Sequence, residues 1–259
     1  MILTIDIGLR NLAMCIMSAQ VKQDISTYKI HLWNTYNTLD LDDYKCKGIQ
    51  KNGNMCGKKC TYRYPILNNY QHCCKIHFPK ELIHDKIIDK KYMFKKKAIN
   101  DYLLQDIAKI VLQKIQDIYN ENYDLFDGIS QVLIELQPKV NQKMKFISHI
   151  LYGKFVELYV HKSTTIRFVR ASQKLKAYTG PMIECNLKGH YAKRKWLSIQ
   201  YTKWFLEHKF IHTERDIWLH CLEQSGKKDD LCDVMLMAIN GYYGIPKKQI
   251  TNKKGKCIK

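Results

Sequence analysis

The chain has 259 residues, a length that fits one large domain or one domain carrying an insertion. It contains 43 Lys and Arg against 24 Asp and Glu, and this formal net charge of +19 favours a polyanionic partner such as nucleic acid over a membrane surface. The sequence has no apolar run of about 18 residues, and its first residues lack the pattern of a signal peptide. We therefore expect a soluble, intracellular protein that is not secreted.

The N-terminal region predicts three strands. Apolar runs at residues 1–7 and 12–17, joined by a short connection that contains Gly8, predict a β-hairpin. Residues 25–33 predict a third strand, and a polar stretch then leads into a cysteine-rich segment. We place a boundary near residue 43.

The cysteine-rich segment predicts a metal site, because clustered cysteines in a basic chain without a signal peptide bind metal more often than they form disulfides. It contains five of the ten cysteines and two histidines: Cys46, Cys56, Cys60, His72, Cys73, Cys74 and His77. Two residues separate Cys74 from His77, a spacing that presents a thiolate and an imidazole to one tetrahedral ion. We expect one structural Zn²⁺ per chain, and free thiols are the alternative. The preferred ligands are Cys46, Cys56, Cys74 and His77, with Cys60 and Cys73 as substitutes.

The same segment is basic and aromatic. Its cationic residues include Lys45, Lys47, Lys51, Lys58, Lys59 and Arg63, and its tyrosines include Tyr62, Tyr64 and Tyr70. One hypothesis is that the cations contact phosphate while the rings pack or stack. The alternative is a solvated basic surface.

The next elements alternate between helix and strand. Apolar positions from Ile99 recur at helical spacing and predict a long helix to about Tyr119. The β-branched run 129–136 predicts a buried strand, a helix follows from Asn141, and residues 164–169 predict a further strand.

The C-terminal part predicts an irregular segment and then helices. Residues 171–187 contain Gly180-Pro181 and are expected to be irregular, whereas 191–208 and a segment ending near Gly241 have helical patterns. The expected fold is therefore a mixed α/β sheet flanked by helices, with a small inserted zinc-binding module. The expected domains are a discontinuous core of 1–42 and 98–245, an inserted module of 43–80, a basic linker of 81–97 and a basic tail of 246–259.

Four carboxylates are the candidate catalytic and metal-binding residues. Asp6 and Glu135 each lie in an otherwise apolar strand, where an acid is unfavourable unless a metal or a partner neutralises it. The alternative for Asp6 is a pair with Arg10 or a cap of the turn at Gly8. Asp230 and Asp233 are three residues apart on a helix and so project from neighbouring turns on one face.

Together these acids could bind two divalent ions. Two ions about 3.5 to 4 Å apart activate water and stabilise the leaving oxygen in phosphodiester hydrolysis. Ligands that are all oxygen favour Mg²⁺ or Mn²⁺. A pair of acids three residues apart is common on solvated helices, so only the combination of four is specific.

Three motifs in this order resemble the RuvC-like Holliday junction resolvases, and most closely those of poxviruses and other large DNA viruses. The motifs are Ile5-Asp6-Ile7-Gly8-Leu9-Arg10-Asn11, Ile134-Glu135-Leu136-Gln137-Pro138 and Lys228-Asp229-Asp230-Leu231-Cys232-Asp233. The mitochondrial resolvases of fungi share the first pattern. The resemblance covers most of the chain except about residues 43–97.

The resemblance implies an RNase H-like fold and a homodimer that binds a four-way DNA junction and makes paired symmetric nicks with a Mg²⁺-bound water. It makes Asp6 the acid that bridges both metals and Glu135 the acid on the fourth strand. Asp230 and Asp233 become the two acids on the C-terminal helix. Asp229 is the uncertain neighbour, because the family pattern often has two adjacent acids here and only the second aligns with the active face. By the same resemblance, Lys227 or Lys228 positions the attacked phosphate or water, and a solvated charge is the alternative.

Several basic residues are candidates for DNA contact. They are Arg10, Lys58, Lys59, Lys95, Lys96, Lys193 and Arg194. Two other functions remain open: a different RNase H-like nuclease acting on branched DNA or RNA/DNA hybrid, and a non-catalytic zinc-containing DNA-binding protein. If the protein is viral, we expect it in the host-cell cytoplasm or virus factory.

Overall fold

A computed structural model describes residues 1–38, 44–67, 69–95, 101–137 and 140–243. The chain divides into two compact units, one formed by Met1–Leu39 with Leu104–Lys259 and the other by Asp40–Leu103. The expected boundary at residue 43 and the basic tail at 246–259 lie outside the described residues. Among the described helices, none is long and apolar enough to cross a membrane.

The first unit is built on a five-stranded mixed sheet. Its strands are β1 (Ile2–Ile7), β2 (Asn11–Ala19), β3 (Tyr28–Asn37), β8 (Gln131–Leu136) and β9 (Thr165–Arg170). Their order across the sheet is β3-β2-β1-β8-β9. The first three strands are antiparallel, while β8 is parallel to both β1 and β9. This is the RNase H-like arrangement that the resemblance implies.

The predicted hairpin is confirmed. The amide of Gly8 donates to the carbonyl of Asn11 at 2.7 Å, and a Cβ on Gly8 would lie only 2.8 Å from that same oxygen. A side chain at this position would therefore disrupt the turn. The third strand begins later than predicted, because Ile25–Thr27 forms a short 3-10 helix before β3.

Six helices are described. They are α1 (Leu104–Glu121), α2 (Tyr123–Asp127), α3 (Gln142–Leu158), α4 (His190–Lys209), α5 (His212–Gln224) and α6 (Lys228–Tyr243). The predicted helix from Asn141 is confirmed, and Asn141 caps it by accepting from the amide of Met144 at 3.1 Å. The irregular segment predicted at 171–187 begins instead with a 3-10 helix, Ala171–Ala177. The short helices α2 and α5 were not predicted.

Helices cover both faces of the sheet. On one face α3 packs on β1, β8 and β9 and pairs with α1, burying Ile147, Leu151 and Phe155 in the core. On the other face α6 crosses β1, β2, β3 and β8, with α4 packed against it. The apolar face predicted for the helix from Asn141 therefore belongs to the core of the unit.

The second unit contains two small hairpins, β4 (Tyr62–Ile66) with β5 (Asn69–Cys73) and β6 (Ile83–His84) with β7 (Ile87–Ile88). Its core combines buried cysteines with rings. The buried residues are Cys46, Cys56, Cys60, Cys73, Cys74 and Phe78, and Tyr92 and Phe94 pack against them. We expected 81–97 to be a linker, whereas its described residues, 81–95, form β6, β7 and part of this core.

Candidate metal-binding active site

Strand register places Asp6 beside Glu135. In the parallel pair of β1 and β8, Ile5 lies opposite Ile134, so the next residues of the two strands are neighbours. Side chains alternate along a strand, so Asp6 shares a face with Thr4, whose hydroxyl donates to the carbonyl of Val234 on α6 at 2.7 Å. Both acids therefore point towards the face that α6 covers.

Three hydrogen bonds between α6 and the strands fix the helix over this face. Besides the Thr4 bond, the indole of Trp33 donates to the carbonyl of Leu231 at 2.7 Å, and the hydroxyl of Tyr242 donates to that of Met17 at 2.9 Å. The first two bonds are accepted by the carbonyls of Val234 and Leu231, which hold the turn that carries Asp230 and Asp233. Both carboxylates consequently line the same cleft as Asp6 and Glu135.

Lys174 lies at the centre of the acids and was not anticipated from the sequence. It belongs to the 3-10 helix after β9, and its side chain is only 3% exposed. Its Nζ donates to Glu135 Oε2 at 2.8 Å, to Asp233 Oδ2 at 2.8 Å and to Asp6 Oδ2 at 3.3 Å. Asp6 therefore pairs with Lys174, and the alternative pair with Arg10 is not formed in the described structure.

The pKa values of the site reflect its concentration of charge. Burial, followed by the hydrogen bond and charge of Asp6, raises the pKa of Glu135 well above its usual range. Burial and the charges of Asp229 and Asp6 raise the pKa of Asp230 to about 6. Burial alone would lower the pKa of Lys174, but attraction to three carboxylates outweighs it and raises this pKa. The acids thus carry more negative charge than one ammonium neutralises.

Helix α4 supplies further partners for the acids of α6. The hydroxyl of the buried Ser198 donates to Asp233 Oδ1 at 2.6 Å, so both oxygens of this carboxylate are held. Lys195 forms an ion pair with Asp229, which lines the same cleft as the four predicted acids. Nothing in the sequence distinguishes Ser198 from other serines, because its burial arises from tertiary packing.

These groups line an open cleft of about 400 Å³ at one end of the sheet. All four predicted acids lie on its wall, together with Tyr191, Arg194 and Lys195 of α4. The candidate Lys227 is exposed just before α6 and is not among the described lining residues. Arg10 and Lys193 are also exposed and outside the lining.

The four preferred zinc ligands meet in the second unit. The ligand atoms of Cys46, Cys56, Cys74 and His77 all lie within 4.8 Å of one another. His77 Nδ1 is 3.4 Å from Cys46 Sγ and 3.5 Å from Cys74 Sγ, and Cys56 Sγ is 3.8 Å from Cys74 Sγ. Tetrahedral zinc with bonds of about 2.3 Å to sulfur and about 2.0 to 2.1 Å to nitrogen requires separations of about 3.8 Å and about 3.5 Å. The cluster therefore fits zinc.

Neighbouring groups orient His77 and lower the pKa of Cys74 in this cluster. His77 Nε2 donates to the carbonyl of Ile49 at 3.1 Å, which leaves Nδ1 as the lone-pair nitrogen that faces the thiols. Although burial acts to raise it, hydrogen bonds from the His77 and Ile76 amides lower the pKa of Cys74 to about 6. Burial raises the pKa of Cys60 to about 11 and that of Cys73 to about 12, which favours neutral thiols in the core.

The predicted basic residues of the second unit are exposed where the structure describes them. Lys58, Lys59 and Lys95 are exposed, whereas Lys96 lies outside the described residues. Lys45, Lys47 and Tyr70 line a groove of about 460 Å³, and the guanidinium of Arg63 lies 4.8 Å from the centre of the Tyr70 ring. This surface combines cations with an exposed aromatic ring.

Comparisons with known proteins give a distant relative and a weak structural likeness. No family model matches the chain. The chain is 28% identical over 233 residues to an uncharacterized protein of Acanthamoeba polyphaga mimivirus; the match covers 83% of this chain and 54% of that protein. The chain thus spans about half the length of this relative. The crystal structure of the yeast mitochondrial Holliday junction resolvase is similar with a TM-score of 0.43 and 14% identity, covering 93% of this chain and 78% of that one.

Proposed function

We propose that the protein is a divalent-metal-dependent endonuclease that resolves four-way DNA junctions by paired, symmetric nicks. The observation that carries this proposal is the meeting of Asp6, Glu135, Asp230 and Asp233 on one wall of an open cleft. The order of the sequence motifs resembles that of the RuvC-like resolvases, and this resemblance favours a junction resolvase over other nucleases.

The carboxylates fit a site for Mg²⁺ or Mn²⁺, because they supply only oxygen and bear an excess of negative charge. When bound, two such ions activate water and stabilise the leaving oxygen of a phosphodiester. Asp6 and Glu135 hold fixed positions on paired strands, and Ser198 orients Asp233 from α4. Arg194 and Lys195 on the same wall attract the phosphates of a DNA strand to these acids.

The remaining parts of the proposal concern assembly and the second unit. Two symmetric cuts require two active sites on a two-fold axis, so the proposed enzyme is a homodimer. We assign one structural zinc to Cys46, Cys56, Cys74 and His77, with the exposed Lys58 and Lys59 as phosphate contacts. Since its relative is a mimivirus protein, we place its action inside an infected host cell.

Substituting Asp6→Asn tests the catalytic proposal. It keeps the size of the side chain but removes a negative charge that would help to hold the proposed ions, so cleavage of a labelled four-way junction with Mg²⁺ should fall at least about 100-fold. Binding of the junction, measured by gel shift with Ca²⁺, should persist. The matched control is Asp124→Asn, an exposed acid on α2, which should cut normally.

The same assay separates the competing functions. Wild-type protein is given four-way junction, linear duplex and RNA/DNA hybrid, each with Mg²⁺ or with a chelator. Preferential cutting of hybrid would indicate an RNase H-like activity on RNA. Binding without cutting under every metal condition would favour the non-catalytic zinc-containing DNA-binding protein, and cleavage by Asp6→Asn would refute the mechanism.

A further inference from the structure

Lys174 holds a position that differs from that of an ordinary surface lysine. An ammonium has three donors, and each of the three here meets a carboxylate from a different element: Asp6 of β1, Glu135 of β8 and Asp233 of α6. The side chain is 3% exposed, so water contributes little to its solvation. Its charge therefore depends on these acids.

A divalent ion bound by these three carboxylates would compete with Lys174 for the position between them. A cation bound by Asp6, Glu135 and Asp233 would need the same oxygens that accept from Lys174 Nζ at 2.8 to 3.3 Å. Two positive charges cannot share this position, because at such separations in a poorly solvated site their repulsion is severe. Binding of a divalent ion thus requires the ammonium to move.

A neighbouring cleft offers Lys174 a place to move to. This second cleft, of about 250 Å³, is also lined by Lys174, and by Arg167 and Arg170 of β9, Gln173 of the 3-10 helix and Asn240 of α6. The described structure pairs neither arginine with an acid. Two cations converging there make it a site for an anion, and a DNA phosphate is the anion that a nuclease brings.

We infer that Lys174 is an exchangeable counterion of the active site, which occupies a cation position in the metal-free protein and is displaced towards the neighbouring cleft by divalent ions. This inference rests on the proposed metal site and deepens it. In the metal-free protein the ammonium of Lys174 stabilises the cluster of acids, and its displacement costs free energy that weakens metal binding. A phosphate bound in the second cleft would attract the displaced ammonium and so offset this cost.

Metal titration of the variant Lys174→Met tests the inference without DNA. Removing the competing ammonium should tighten binding of Mn²⁺, measured by isothermal titration, roughly tenfold or more. The metal-free variant should melt at a lower temperature than wild type, and saturating Mn²⁺ should restore most of the loss. The control Lys162→Met removes a lysine that pairs with Asp127 outside the cleft, so it should leave Mn²⁺ affinity unchanged.

A measurement on the wild-type protein covers the case in which Lys174→Met fails to fold. Acetylation of amines, followed by mass spectrometry of peptides, reports how accessible each lysine is. Lys174 should be protected in the metal-free protein and should react at least several-fold faster with saturating Mn²⁺, while the exposed Lys227 should react equally in both states.

The inference is wrong if Lys174→Met binds Mn²⁺ no more tightly than wild type does. It is also wrong if Lys174 is equally protected from acetylation with and without metal. Failure to detect Mn²⁺ binding to any form would overturn it as well, together with the metal site. If the metal responses appear but no DNA substrate is cut, the nuclease proposal fails and the exchange of Lys174 stands. Metal titration therefore tests the exchange of Lys174, and the cleavage assay tests the nuclease proposal.

Discussion

Two acids of α6 are held by partners of different chemistry. Asp233 accepts a hydrogen bond from the hydroxyl of Ser198 on one oxygen and from the ammonium of Lys174 on the other, whereas Asp229 forms an ion pair with Lys195. A carboxylate that is oriented on both oxygens is prepared to bind a cation, because little rotamer freedom is left to lose. Ser198 is therefore a positioning residue of the site.

Replacing Ser198 by Ala should weaken metal use without abolishing DNA binding. Loss of a hydrogen bond that orients a metal ligand typically costs about 10- to 100-fold in metal affinity or activity. We expect the concentration of Mg²⁺ that gives half-maximal cleavage to rise about tenfold, with gel-shift affinity for the junction unchanged. The measurement is cleavage rate against Mg²⁺ concentration.

The matched control for this variant is Ser148→Ala. Ser148 is equally buried, but it lies on α3 on the other face of the sheet and donates to the carbonyl of Lys145 at 2.7 Å. It should cost about 1 kcal/mol of stability and leave the Mg²⁺ dependence unchanged. A similar shift of Mg²⁺ dependence in both variants would mean that Ser198 contributes stability alone.

At the scale of residues, the sequence points to the four acids that line one cleft but not to the groups around them. Asp6 and Glu135 are conspicuous because an acid interrupts an apolar strand, and that signal is local. Lys174 and Ser198 give no such signal, since a lysine in an irregular segment or a serine in a helix is usually solvated. Only the fold brings them to the acids.

At the scale of elements, α6 is the part that assembles the site, and its close approach to the sheet depends on Gly241. A Cβ on this residue would lie 2.8 Å from Leu133 Cδ1 and 3.2 Å from Ile2 Cδ1. Both neighbours are buried side chains of central strands, so they have little room to move. The helix would have to shift away from β1 and β8.

Gly241→Ala should therefore destabilise the protein by about 1 to 3 kcal/mol through overpacking, even though alanine favours helices. Gly153→Ala on α3 is the control, because nothing lies within 4 Å of its added Cβ. That variant should instead gain about 0.5 to 1 kcal/mol from helix propensity. Urea denaturation measures both, and a stable Gly241→Ala would show that α6 tolerates displacement.

We expect the second unit to depend on its proposed metal for folding. Its core is small and consists largely of thiols and rings, so metal ligation should supply much of its folding free energy. Cys74→Ser should reduce bound zinc, measured by elemental mass spectrometry, from one per chain to nearly none. Amide exchange in residues 44–95 should become at least about 100-fold faster.

Cys185→Ser is the control for the zinc site, because Cys185 is a partly exposed thiol of the first unit. It should keep one zinc per chain and slow amide exchange in residues 44–95. Full zinc content in Cys74→Ser would contradict the ligand set, and unchanged exchange without zinc would show that the unit folds on its side-chain packing.

Elements with a strong hydrophobic period were predictable, and the others were not. The hairpin of β1 and β2 and the helices α3 and α6 follow from apolar spacing that persists in the fold. Helix α5 was missed because its apolar residues, from Ile217 to Leu222, are nearly consecutive and show no clear helical face. Segment 81–95 was mistaken for a linker because its order comes from rings and short hairpins.

At the scale of the whole molecule, a chain with a net charge of +19 contains a candidate site that is itself acidic. A negatively charged cleft repels DNA, so cations elsewhere must supply the attraction that brings phosphates to it. Arg194 and Lys195 supply positive charge beside the acids in the first unit, and exposed lysines supply positive charge in the second unit. Junction binding should accordingly weaken steeply as salt rises.

Lys58 and Lys59 provide the sharpest test of whether the second unit contributes to that binding. If each neutralises a phosphate, the double variant Lys58→Ala/Lys59→Ala should reduce the slope of log affinity against log salt by about one for each of the two lysines. Affinity is measured with Asp6→Asn protein, so that the junction stays intact. The double variant Lys29→Ala/Lys109→Ala removes two exposed lysines of the first unit that are outside the cleft lining, and should leave the slope nearly unchanged. If both double variants give the same slope, Lys58 and Lys59 do not contact phosphate. DNA recognition would then be a property of the first unit.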